Sequence, residues 1–76
     1  QRECQRAERQ LAALEDEIAA LEERLAAIDE QLFEVAADRP KAELLEKEQR
    51  DGQATLDAKM EEWEALGERI GVLAAP

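Results

Sequence analysis

The stretch CQRAERQLAALEDEIAALEERLAAIDEQLFEV, residues 4–35, decides the fold. Cys4, Ala7, Leu11, Leu14, Ile18, Leu21, Leu25, Ile28, Leu32 and Val35 alternate at three- and four-residue spacing along it. A repeat averaging about 3.5 residues, held over more than four heptads, is the seam of a coiled coil. The residues between are Glu, Gln, Arg, Asp and Ala with neither Pro nor Gly, all compatible with helix. A narrow apolar stripe is unstable in water unless something covers it, so this helix needs a partner.

The pattern breaks at AADRPK, residues 36–41. Asp38 is an N-cap candidate, and Pro40 suits the first turn of a following helix while closing the one before. Short loops join antiparallel neighbours, so the sequence predicts an all-α antiparallel two-helix coiled-coil hairpin forming a single domain over residues 1–76. The first helix is expected over 2–36, the loop over 37–40 and the second helix over 41–70. Each helix would be about 45 Å long at 1.5 Å per residue. Seam positions of the second helix read as Ala42, Leu45, Gln49, Gly52, Leu56, Lys59, Trp63, Leu66, Ile70 and Leu73. Folding the chain at the loop sets Leu32 against Leu45, Leu21 against Leu56, Leu14 against Trp63 and Leu11 against Leu66.

The weak stretch is EKEQRDGQAT, residues 46–55. Gln49 and Gly52 oppose Ile28 and Leu25, which are expected to be poorly covered. Gly within a helix costs about 1 kcal/mol against Ala, and Asp51-Gly52 is also a turn signal, so near Gly52 the second helix can kink or break. Glu43 with Lys47 and Glu46 with Arg50 are favourably ordered pairs four residues apart that support helix here. Lys59 either snorkels towards Glu15 or Glu22, or the register slips and Met60 faces inward. Gly71 is a C-cap candidate, and Val72 to Pro76 have little to hold them beyond Leu73.

Composition narrows the function. Charged residues make up 39% of the chain, and the abundance of Ala, Glu, Leu and Arg is that of a long helix. The first residue is Gln1, which suggests a fragment or processed chain of a larger parent. No apolar run approaches a bilayer span and no signal peptide is visible, so a soluble chain without membrane contact is expected. One Cys and no His exclude a structural zinc site and an internal disulfide. No P-loop or glycine-rich phosphate cradle is present, and no cofactor is expected. Carboxylates are dense, but an acid–base pair needs a desolvating pocket that a two-helix hairpin does not offer. Cys4 has no His to activate it and reads as a small seam residue. No catalytic, cofactor-binding or metal-binding residue is assigned, and the chain reads as non-enzymatic.

The net charge of −10 argues against a general phosphate-binding surface and favours basic partners. Two small basic clusters remain. Arg2, Arg6 and Arg9 share an outward face, read first as solvated charge paired with Glu3 and Glu8. Arg39, Lys41, Lys47 and Arg50 gather near the loop, diluted by acidic neighbours. These seven residues are the candidate contacts for RNA or DNA. Glu8, Glu15, Glu22 and Asp29 flank one side of the seam, and Glu17 and Arg24 the other, where charges select partner and orientation. Trp63 is expected to fill the seam opposite Leu14 and Leu11 rather than to stack on bases or anchor a partner. Phe33 is expected to cover the tip against Leu44 or Leu45, with a grip on a partner as the alternative.

The order of parts resembles one family. The leucine-heptad helix ERQLAALEDEIAALEERLAAIDEQL, the Pro-containing loop, and DAKMEEWEAL with Leu56, Met60, Trp63 and Leu66 are similar to the C-terminal coiled-coil domain of ABC-F ATP-binding-cassette proteins of the Uup type. The basic linker that usually precedes the first helix is not in this sequence. The resemblance implies a cytoplasmic protein with two ATPase cassettes and no membrane spans, acting on the ribosome. It also implies a C-terminal hairpin linked to DNA binding, with ATP hydrolysis residing in the cassettes. On this reading the chain is a monomeric, non-catalytic arm that contacts ribosomal RNA, DNA or protein. The alternative is a structural spacer or dimerisation module of an unrelated protein.

Overall fold

The computed structural model describes residues 2–74. Two helices, α1 (Arg2–Glu34) and α2 (Arg39–Ala74), lie against each other as an antiparallel hairpin measuring 59 × 14 × 13 Å. The tight turn occupies residues 35–38. α1 therefore ends two residues earlier than the spacing suggests, and α2 begins two earlier. Asp38 explains the early start of α2. Its carbonyl accepts the Ala42 N–H at 2.9 Å as the first bond of the new helix, and its Oδ1 accepts from the Lys41 N–H at 3.4 Å, an amide the helix leaves free. Pro40 lies inside that first turn, where a missing N–H costs nothing. The turn is closed by the Asp38 N–H donating to the Val35 carbonyl at 2.8 Å.

The seam is laid out as the heptads require. Every a and d position from Cys4 in α1 to Val35 at the start of the turn is at least half-buried, and so are the matching positions of α2 except Trp63, which is 39% exposed. The best covered are Ala7, Ile28, Ala42 and Leu56. Ile28 was expected to be poorly covered opposite Gln49, yet it is only 1% exposed. Two features close over it. Gln49 turns its amide outward to donate to the Asp29 carboxylate and leaves its stem over the seam. Gly52 has no side chain, so the helices draw close; a Cβ there would lie 3.1 Å from Leu25 Cδ2.

α2 runs unbroken through Gly52, so the helix does not break there. Neither Gly52 nor Gly71 has positive φ, and Gly71 lies inside the helix rather than capping it. The helix continues to Ala74 because Leu73 is still half-buried in the seam, while Ala75 and Pro76 lie outside the described residues.

Polar ties clasp both flanks of the seam. On one side Arg24 places Nε at 2.8 Å and a terminal nitrogen at 2.7 Å from one oxygen of Glu48, and Lys59 meets Glu17 at 2.8 Å. On the other, Gln49 reaches Asp29 and the Trp63 indole N–H donates to Glu15 at 3.2 Å. The open register question is thus answered: Lys59 faces the seam and Met60 is 44% exposed. The expected partner of Lys59 was Glu15 or Glu22. Those glutamates lie on the opposite flank, and the lysine stem leaves the seam on the side of Glu17. Half-exposed ties of this kind contribute little each, about 0–1 kcal/mol, and act mainly to fix alignment.

Phe33 does not cover the tip. It is 87% exposed, and Leu44 is 71% exposed, because both lie on the outer surface beside the seam rather than in it. The pairs Glu43–Lys47 and Glu46–Arg50 are likewise absent from the ion pairs of the described residues, and Glu43 is engaged by Arg39 at 3.5 Å instead.

These contacts predict how the hairpin responds to change. Ile28→Ala should cost about 2–5 kcal/mol in urea unfolding followed by circular dichroism, whereas Phe33→Ala should change stability by less than about 0.5 kcal/mol. At Gly52, the open end of the Leu25 side chain can shift by the few tenths of an ångström an extra methyl needs. Gly52→Ala should therefore raise the thermal midpoint by gaining up to about 1 kcal/mol of helix propensity, while the branched Gly52→Val should lower it by forcing the helices apart. The Glu17 carboxylate, chiefly by its hydrogen bond, holds the Lys59 ammonium above its usual range. A raised folded-state pKa means that this tie stabilises below the pKa of the unfolded lysine and fades as pH climbs through the folded value. The gap in thermal midpoint between the native chain and Lys59→Gln should be steady from about pH 7 to 10 and close above that.

Candidate functional site

The hairpin brings the start of α1 and the end of α2 together, leaving the turn some 59 Å away at the other end of the long axis. Charge is unevenly shared along that axis. At the open end, residues 2–10 and 66–74 hold Arg2, Arg6, Arg9 and Arg69 against Glu3, Glu8 and Glu68, a side-chain balance of +1. Residues 11–65 hold the other six cations against seventeen acids, a balance of −11, and the two together make the chain's −10. The whole net charge thus resides on the body and the tip.

Arg2, Arg6 and Arg9 are exposed and form no ion pair among the described residues. Their expected pairing with Glu3 and Glu8 is not seen; Glu8 is instead 3.5 Å from the Cys4 sulfur. Arg69 was not singled out from the sequence, yet it lines the same surface groove as Gln10, Leu14 and Leu66. Its heptad position, flanking the seam on the side of Gln10, was the signal that could have found it. Four guanidinium groups therefore lie at one end of the rod.

The tip cluster is more encumbered. Arg39 pairs with Glu43, and Lys41 lies 3.9 Å from Asp38. Lys47 and Arg50 form no ion pair among the described residues and stand exposed, but α2 places them beside Glu46, Glu48 and Asp51. The structure does not bring the two basic clusters together. They sit at opposite ends of the hairpin.

Cys4 is half-buried in the seam, and desolvation, followed by the Glu8 carboxylate, pushes its thiol above its usual range. A thiol held protonated is a weak nucleophile. No group of three metal-ligating side chains occurs among the described residues, and no described helix is long and apolar enough to cross a membrane. Trp63, expected to fill the seam, sits at its edge. Its ring borders a shallow pocket with Glu15, Ile18 and Met60 on one side of the hairpin.

No curated protein and no solved structure matches the chain. The family model described as ABC transporter C-terminal domain matches residues 4–68, which takes in both helices, the turn and Trp63. That domain is an accessory of ABC-family proteins and is not itself the ATPase cassette. With this match spanning most of the sequence, the chain belongs to the ABC transporter C-terminal domain family.

Proposed function

We propose that this accessory domain is the C-terminal arm of a cytoplasmic ABC-F-type protein, and that it contacts nucleic acid or the ribosome as a single hairpin. The observation that carries the reading is the charge imbalance along the rod. A polyanion is attracted by clustered Arg and Lys and repelled by unpaired carboxylates. The open end presents Arg2, Arg6, Arg9 and Arg69 against Glu3, Glu8 and Glu68, the one part of the rod whose side-chain balance is positive. The tip cations Arg39 and Lys41 already have carboxylate neighbours. The open end is also where α1 would receive whatever precedes it, so a basic segment there would extend the same surface. Arginine suits this task, since its planar group donates two parallel hydrogen bonds to a phosphate.

Titration of duplex DNA and of structured RNA at two salt concentrations tests the proposal. Binding should weaken with salt, and Arg2→Gln, Arg6→Gln and Arg9→Gln together should reduce the slope of log affinity against log salt by about 2–3. Lys47→Gln with Arg50→Gln should reduce it less. Absent or salt-insensitive binding, or equal losses from both sets of substitutions, would overturn the assignment of the open end.

A further inference from the structure

The acidic body carries a second surface that a phosphate-binding role does not use. On the flank where Trp63 donates to Glu15, the side chains of Ile18, Met60 and Trp63 border one shallow pocket. Met60 and Trp63 are 44% and 39% exposed. On α1, Ala12 and Ala19 stand one turn to either side of Glu15 on the same flank, and both are exposed. The surrounding charges are of one sign. Glu15 and Glu22 flank the seam on α1, and Asp57 and Glu64 stand one turn to either side of Met60 on α2. Glu15 receives the indole N–H on Oε1 only, which leaves its second oxygen free for a cation.

We infer that this flank is a docking site for a basic amphipathic helix of another protein. Its apolar residues would cover Met60 and Trp63, and its Lys or Arg side chains would reach Glu15, Glu22, Asp57 and Glu64. Charge complementarity selects that occupant. A second copy of this chain would bring another body of −11 against the first, and a nucleic acid would bring phosphates against four carboxylates. A helix laid in a shallow apolar groove is a recurring mode of peptide recognition, with anchors at i, i+3, i+4 and i+7. The site is separate from the open-end arginines, so the two surfaces could be occupied at once.

The chain has one Trp and no Tyr, so tryptophan emission reports this site alone. The probe is a synthetic Leu/Lys peptide with leucines at helical spacing, added to the 76-residue chain. Controls are a scrambled peptide of the same composition and a Leu/Glu peptide of the same pattern. The amphipathic basic peptide should produce a saturable blue shift of Trp63 emission. Affinity should fall about tenfold with the scrambled peptide and with Met60→Gln, whose exposed position leaves the helices intact by circular dichroism. The Leu/Glu peptide should give no shift. The inference is overturned by the absence of a shift with the basic peptide, by equal binding of the scrambled peptide or of Met60→Gln, or by a comparable shift with Leu/Glu.

Discussion

Everything in this hairpin depends on the leucine ridge of α1 being covered by the same chain after it turns at residues 35–38. An isolated helix with a narrow apolar stripe is marginal in water, because the backbone entropy lost on ordering it is barely offset by its own hydrogen bonds. A slender pair of helices also buries less surface per residue than a globular domain, so little stability is held in reserve. The seam must therefore be covered along its whole length. The seam positions from Cys4 to Val35 and from Ala42 to Leu73 are at least half-buried throughout, with Trp63 alone left at the edge.

Fixing that register is the work of the polar flanks. Apolar seams slide past one another at modest cost when offset by a heptad, and directional ties penalise the slip. Arg24 to Glu48 and Lys59 to Glu17 hold one flank, while Gln49 to Asp29 and Trp63 to Glu15 hold the other. The weakest part of the seam is stabilised differently. Gly52 gives up side-chain contact and lets the backbones approach at Leu25, which explains how a poor helix former sits in the middle of an unbroken helix.

Much of this fold could be read from the residues, because a heptad repeat specifies both secondary structure and the face to be buried. The seam positions followed from spacing, except that Trp63 stays at the edge, and the cap at Asp38 followed from its residue type beside Pro40. What could not be read were choices made between neighbouring side chains. Whether Lys59 leaves the seam towards Glu15 or Glu17 depends on its rotamer, and a sequence does not specify a rotamer. Phe33 was misplaced for a related reason. Its position beside the seam says only that it is near the partner helix, and on a surface this narrow nothing stands over it. The site was less legible still. A solvated arginine and a phosphate-binding arginine look alike in a sequence, and only the hairpin, by pairing Arg69 with the end that carries Arg2, Arg6 and Arg9, separates the open end from the encumbered tip.

An internally closed seam and a charge-polarised rod are linked, since it is the doubling back of the chain that gathers the arginines at one end. Small-angle X-ray scattering over a dilution series addresses that directly. A mass of one 8.5 kDa chain is expected at every concentration, with a radius of gyration near the 17.1 Å of the hairpin's Cα atoms. A mass of two chains, or the profile of a single straight helix about 110 Å long at 1.5 Å per residue, would contradict it.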